Sequence, residues 1–149
     1  MGYRVAVLMG SPNDRSKMEP AEQTLHEFGV EADVLVMSAH RTPDVVAGFA
    51  STARAEGFSA IICGAGMAAH LAGAVAANTT LPVIGVPLSG GAIGGIDALY
   101  STVQMPRGIP VATVAVDGAM NAALLAVQII AVTDAEMAQR LAGHRAAMG

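Results

Sequence analysis

The chain has 149 residues and a net charge of −4, with only 8 lysines and arginines and a single cysteine, Cys63. This length predicts one domain, residues 1–149, and the few scattered cations argue against a nucleic-acid partner. No apolar run approaches the roughly 20 residues of a membrane span and one cysteine cannot form an internal disulfide, so we expect a cytoplasmic protein without a membrane partner. Charged residues are only 13% of the chain, against about 25% in typical domains, which predicts a homo-oligomer that buries much of its surface.

Short apolar segments alternate with helical segments along the chain. Runs rich in β-branched residues predict strands at residues 3–9, 34–37, 60–63, 82–86 and 109–116. Helices are predicted up to residue 28 after the first loop, at 43–56, up to about 77, at 96–100 and at 120–132, and a capping box at 133–136 opens a last helix. This alternation predicts an α/β protein, a flavodoxin-like three-layer α/β/α sandwich. Its five-stranded parallel sheet would have the order 2-1-3-4-5, with a further helix at the C-terminus.

The first strand runs into a polar turn that precedes a helix. Ser11, Asn13 and Asp14 offer side-chain hydrogen-bonding groups there, beside the backbone amides of a helix start. Such a turn suits a phosphate or a ribose, and it equally suits an ordinary N-terminal cap. In a parallel sheet with this strand order, the loops after the first three strands lie close together, so we expect a binding site at that edge.

The second strand is followed by the most reactive segment of the chain. Ser38, His40 and Arg41 place a hydroxyl, an imidazole and a guanidinium within four positions. Thr42 is then a natural N-cap, with Pro43 at the first helical position. A mobile proton beside a fixed positive charge indicates acid/base chemistry on an anionic substrate.

The third strand leads into Gly64, Ala65 and Gly66, which resemble part of a dinucleotide-binding fingerprint. Ala69 occupies the place of the third glycine and no acidic residue ends the next strand, so NAD binding is disfavoured. The small residues still allow a ligand to approach the backbone closely. We interpret His70, at the following helix start, as a site residue rather than a packed histidine.

The other titratable side chains carry no comparable pattern. We expect His26 and His144 to be solvated and Cys63 to be a small core residue. No histidine, cysteine or carboxylate cluster has the spacing of metal ligands. The residues therefore predict no metal site.

Several motifs occur together in one order. They are Gly10-Ser11-x-x-Asp14, Ser38-Ala39-His40-Arg41-Thr42-Pro43, Gly64-Ala65-Gly66-x-Ala68-Ala69-His70-Leu71, Gln104-Met105-Pro106 and Asn121-Ala122-Ala123-Leu124-Leu125-Ala126. This set resembles the N5-carboxyaminoimidazole ribonucleotide mutases of bacterial purine biosynthesis over nearly the whole chain. The resemblance implies a homo-octamer of flavodoxin-like subunits that isomerises a small ribonucleotide by moving its carboxyl group, without metal, ATP, biotin or another cofactor.

The resemblance also implies roles for the loop residues. His40 would be the general acid and base, and His70 would border the base and the trapped carbon dioxide. The proposed substrate-binding residues are Ser11, Asn13, Asp14, Ser38, Arg41, Gly64, Ala65, Gly66 and Leu71. The chain departs from the family pattern at Asn13, usually serine, at Met67, usually glycine or alanine, at Ala72, usually proline, and in an unusually glycine-rich loop at 89–95.

Two other functions are compatible with parts of the sequence. The related carboxylases use aminoimidazole ribonucleotide and free carbon dioxide, but they tend to carry lysine after Ser-Ala-His, where this chain has Arg41. A non-catalytic flavodoxin-like nucleotide- or flavin-binding module would suit the first loop. However, aromatic residues are only 3% of the chain and tryptophan is absent, so little is available to stack on a flavin.

Overall fold

The computed structural model describes residues 2–149. Within that range the strands are β1 (Arg4–Met9), β2 (Glu31–Val36), β3 (Ala60–Gly66), β4 (Val83–Leu88) and β5 (Ala112–Thr113). The helices are α1 (Arg15–Glu27), α2 (Pro43–Thr52), α3 (Leu71–Ala76), α4 (Ile96–Val103), α5 (Ala119–Ala131) and α6 (Ala135–Ala146), and a 3-10 turn (Pro12–Asp14) precedes α1. The strands form one parallel sheet in the order β2-β1-β3-β4-β5, so the predicted fold and strand order are confirmed.

The sheet separates two apolar clusters, because alternate residues of each strand point to opposite faces. Val5, Val7 and Met9 of β1 belong to the cluster that includes side chains of α1 and α5. Ala6 and Leu8 belong to the cluster on the side of α2 and α3. All five side chains are fully buried, which explains why β1 reads as a continuous apolar run rather than as an alternating one.

The limits of three strands differ clearly from the prediction. β2 begins at Glu31 rather than at residue 34, and β3 continues to Gly66 rather than ending at residue 63. β5 is only Ala112–Thr113, much shorter than the predicted 109–116, because it is an edge strand that pairs with β4 at two positions. Short edge strands are common in natural sheets, where they limit unwanted pairing.

Three helix ends also need correction, and one of them is that of α4, which ends at Val103 rather than at residue 100. α2 ends at Thr52 instead of residue 56, and turns carry the chain to Gly57, whose φ is +90°. The N-cap of α6 is Asp134, not Thr133. The Asp134 carboxylate accepts the backbone N–H of Met137 at 3.0 Å and also accepts the Tyr3 hydroxyl at 2.7 Å.

Helix α5 has one buried face in the single chain. The buried residues of this helix are Ala119, Ala122, Ala123, Ala126, Val127 and Ile130. Leu124, Leu125 and Ile129 are only half-buried in the single chain. Within residues 2–149, no helix is both long enough and apolar enough to cross a membrane.

The predictions for Cys63 and His26 are correct, whereas the one for His144 is wrong. Cys63 is 2% exposed in the core, and burial raises the pKa of its thiol. His26 is exposed on α1. His144 is half-buried, with its ring centroid 5.4 Å from that of Phe28 and its Nε2 buried without a hydrogen-bond partner within residues 2–149.

Candidate active site

The loops that follow β1, β2 and β3 border one cavity of about 430 Å³ at the carboxyl edge of the sheet. It lies beside β1 and β3, where the order of the strands reverses, which is the usual ligand position in such sheets. The predicted site residues that line it are Ser11, Asn13, Asp14, Ser38, His40, Arg41, Ala65, Gly66, His70 and Leu71. The three loops therefore meet as the sequence predicts.

Gly64 is the predicted site residue that does not line this cavity. It is a buried position of β3, and a Cβ built on it would lie 2.9 Å from Met18 Cε of α1. Its lack of a side chain serves the packing of α1 on the sheet. The contact of the Gly64 backbone with a ligand stays a prediction, to which this packing adds no support.

His40 and His70 are in direct contact, although 30 positions separate them in the chain. His40 Nε2 lies 2.7 Å from His70 Nδ1, and the ring centroids are 4.9 Å apart at an interplanar angle of 89°. In such a contact one nitrogen carries the hydrogen and the other accepts it. His70 therefore restrains both the orientation of the His40 ring and the position of its proton. Both side chains are exposed to solvent at the cavity mouth.

The turn that carries His40 is closed by its own polar groups. The Arg41 N–H donates to Ser38 Oγ at 3.1 Å, and the Ser38 N–H donates to Thr42 Oγ1 at 3.0 Å. The Thr42 hydroxyl in turn donates to the Ser38 carbonyl at 3.1 Å. Thr42 holds the predicted N-cap position, but its side chain makes no bond to the amides of α2. It fixes the turn instead, and His40 and Arg41 are exposed on that turn.

The first loop combines an ordinary cap with the cavity wall. Ser11 Oγ accepts the N–H of Asn13 at 3.2 Å and so caps the 3-10 turn. Partial burial raises the pKa of Asp14, and the Ser11 backbone and the Lys17 charge oppose this rise without cancelling it. Both readings of this loop, as cap and as site, are thus compatible with the geometry.

Four cavity residues lie outside the set predicted from the sequence: Gly10, Ala39, Met67 and Ala68. The glycine and the alanines have no side-chain chemistry that a sequence pattern could have revealed. Met67 did leave a signal, because the resemblance implies glycine or alanine at this position. Among the lining residues of the described range, Arg41 is the one with a permanent positive charge.

The comparisons with known proteins agree with the resemblance seen in the motifs. The family model described as AIR carboxylase matches residues 4–149. The chain belongs to this family. Proteins called N5-carboxyaminoimidazole ribonucleotide mutase are 54% identical over 137 residues in Aquifex aeolicus (92% of this chain, 82% of that one) and 52% identical over 146 residues in Escherichia coli strain K12 (97% and 86%).

Solved structures of the family have the same architecture. The crystal structure of Treponema denticola PurE matches with a TM-score of 0.89 at 30% identity, and the match covers 99% of this chain and 91% of that one. The resemblance inferred from the motifs is therefore confirmed, and so is the flavodoxin-like fold.

Proposed function

We propose that this protein is an N5-carboxyaminoimidazole ribonucleotide mutase of purine biosynthesis. It is an isomerase that moves a carboxyl group from the exocyclic nitrogen of its substrate to ring carbon C4. The observation that carries this proposal is the His40–His70 contact at 2.7 Å, at the mouth of a cavity between three loops of the family's fold. The close relatives that bear the mutase name support it.

The reaction balances with one proton carrier. Protonated His40 gives its proton to the exocyclic nitrogen while the nitrogen–carboxyl bond breaks, which releases carbon dioxide and leaves aminoimidazole ribonucleotide. The electron-rich C4 then attacks carbon dioxide. His40, now neutral, removes the proton from C4 and the ring regains its aromaticity. Since His40 ends in its starting state and nothing is oxidised or reduced, the step requires no cofactor.

The remaining site residues would bind and orient the nucleotide. Arg41 pairs with the phosphate as the fixed cation, and Asp14 accepts the ribose hydroxyls. His70 holds the His40 ring in place. The residues proposed to complete the binding surface are Ser11, Asn13, Ser38, Ala65, Gly66 and Leu71, all of which border the cavity.

Labelled bicarbonate distinguishes this mutase from a carboxylase that uses free carbon dioxide. The enzyme is supplied with unlabelled carboxyamino substrate in ¹³C-bicarbonate buffer, and product is analysed by mass spectrometry. A mutase transfers the substrate's own carboxyl group, so the product stays mostly unlabelled. Product labelled to the level of the buffer would refute the mutase proposal and favour the carboxylase.

We also propose that a single domain covering the chain assembles into a homo-octamer. Ile96, Tyr100 and Val103 recur along α4 with the spacing of one helix face, and they are 50%, 61% and 45% exposed in the single chain. An assembly would cover them, in keeping with the low charge content. Light scattering should give the mass of eight chains, and a monomer at working concentration would refute this.

We propose the cytoplasm as the compartment, since the lone Cys63 is buried and free.

A further inference from the structure

Lys17 lies on the first turn of α1, just outside the proposed active site. Its side chain is half-buried and does not line the cavity. Within residues 2–149 the salt bridges are Arg4–Asp33 and Arg15–Glu22, so Lys17 belongs to none of them. A half-buried charge has lost part of its hydration, and the groups around it have to offset that cost.

The Lys17 ammonium is held at the start of the glycine-rich loop between β4 and α4. It donates a hydrogen bond to the Ser89 carbonyl. Ser89 is fixed in turn by Asp117, because its N–H donates to Asp117 Oδ1 at 2.9 Å and its hydroxyl donates to the other carboxylate oxygen. The acceptor that holds the ammonium is therefore itself anchored, which gives the Lys17 charge a defined position.

Asp14, three residues before Lys17, is the carboxylate of the cavity. It occupies the N-cap position of α1, but its side chain makes no capping bond, so its oxygens stay available to a ligand. Side chains three positions apart on a helix are neighbours, with Cβ atoms about 5–6 Å apart. Partial burial raises the pKa of Asp14, and the Lys17 charge lowers it. The ammonium therefore favours the ionised form, which burial disfavours.

Other charged or titratable groups lie around this pair, on the cavity lining and on the far side of Lys17. They are His40, Arg41, His70 and Asp117. Arg15, the other cation on the first turn of α1, is directed elsewhere, with its Nη2 3.5 Å from Glu22 Oε2. Within the described range, Lys17 is therefore the cation that acts on Asp14.

We propose that Lys17 is a positioning residue of the active site, which prepares Asp14 to accept the ribose hydroxyls of the substrate. This inference rests on the mutase function proposed above. A hydroxyl donates a stronger hydrogen bond to a carboxylate than to a neutral carboxylic acid. A cation in direct contact with Asp14 would occupy an oxygen that the ribose needs. Held by Ser89 instead, the ammonium acts through its charge and leaves the lone pairs of Asp14 free.

The test measures the affinity for aminoimidazole ribonucleotide by calorimetry between about pH 5.5 and about pH 8. Lys17→Met removes the charge and the hydrogen-bond donor, whereas Lys17→Gln keeps a donor for the Ser89 carbonyl without the charge. Lys17→Arg keeps the charge. Arg15→Met is the matched control, because it removes the neighbouring cation of α1, which does not line the cavity.

The sign of the effect follows from the charge. Without the Lys17 charge the pKa of Asp14 rises, so its ionised form is lost at a higher pH and affinity falls first at the acid end. We expect Lys17→Met and Lys17→Gln to bind roughly threefold to tenfold more weakly than wild type near pH 5.5, and within about twofold near pH 8. Lys17→Arg and Arg15→Met should follow the wild type throughout. His40, His70 and the ligand phosphate titrate in every variant, so each variant is compared with wild type at the same pH.

The Asp14→Asn background shows whether Lys17 acts through Asp14. No carboxyl remains there to titrate, so adding Lys17→Met should change the affinity by less than about twofold at either pH. An equal loss in both backgrounds, a loss that is the same at both pH values, or no loss in either uncharged variant overturns the inference and leaves the mutase proposal standing. If circular dichroism shows both uncharged variants to be unfolded, Lys17 serves the fold and the inference fails. No binding of aminoimidazole ribonucleotide by the wild type refutes the mutase proposal, and the inference with it.

Discussion

Replacing His40 by asparagine removes the proposed proton carrier but keeps a polar side chain at the same place. General acid/base catalysis typically contributes about 10²- to 10⁴-fold to a rate, and His40 would serve two proton transfers in each turnover. We therefore expect His40→Asn to lower kcat by roughly 10⁴-fold, which corresponds to about 5.4 kcal/mol of transition-state stabilisation. Substrate binding should stay within about tenfold, since the proposed contacts to phosphate and ribose would remain.

His70 should have a smaller and separable effect. Its contact with His40 is one hydrogen bond of 2.7 Å between exposed rings. A typical hydrogen bond contributes about 0.5–1.5 kcal/mol, so losing its orienting effect in His70→Ala should lower kcat by about twofold to tenfold. The ratio of the two losses distinguishes a proton carrier from a residue that positions it.

Single-turnover measurements of product formation, with product affinity from calorimetry, separate these effects on chemistry and on binding. His26→Asn is the matched control, because His26 is an exposed histidine on α1 that does not border the cavity. Near-normal turnover by His40→Asn would remove His40 from the acid/base role. A loss in His70→Ala as large as that in His40→Asn would show that His70 transfers a proton itself.

Three further changes test the binding, packing and loop assignments. Arg41→Ala should raise KM by about 10- to 100-fold with a smaller effect on kcat, as steady-state kinetics would show, because the proposed charge-assisted bond to phosphate would be lost. Gly64→Ala should lower the free energy of unfolding in urea by about 1–3 kcal/mol, since the new Cβ would lie 2.9 Å from Met18 Cε. Partial burial raises the pKa of Asp117, but two hydrogen bonds from Ser89 and the Lys17 charge together outweigh it and lower the pKa overall. This contribution to stability should therefore be lost as the pH falls below about 4. Acid unfolding of Asp117→Asn, followed by circular dichroism, should lack that loss.

The sheet was predictable because the order of strands and helices along the chain, and the apolar runs that mark the strands, are local features of the sequence. The strand order placed the loops after β1, β2 and β3 at one edge, and both His40 and His70 lie there. Their direct contact was not predictable, because it depends on how two side chains 30 positions apart are turned. The prediction that His144 is solvated was wrong for a related reason. Its ring neighbour Phe28 lies near the other end of the chain, and no local pattern connects the two.

The roles of glycines were the hardest part of the site to predict from the sequence. Gly64 was interpreted as a place of close ligand approach, since it stands in a partial dinucleotide fingerprint. The group that approaches it closely is the side chain of Met18 from α1. A missing Cβ permits a close neighbour, but the sequence does not say whether there is one, or whether it is a ligand or another part of the protein: nothing lies within 4 Å of a Cβ built on Gly10.

Departures from local preference concentrate in the loops around the cavity. Thr42 and His70 both occupy N-cap positions, yet neither side chain caps its helix: Thr42 binds Ser38, and His70 faces His40. Met67 has a positive φ of +50° beside them. Departures of this kind are expected where function competes with stability. Asp117, the other non-glycine residue with positive φ within residues 2–149, does not border the cavity, but its carboxylate accepts both hydrogen bonds from Ser89 at the base of the glycine-rich loop. One of the two positive-φ residues therefore lines the cavity, and the other holds the start of the loop at 89–95.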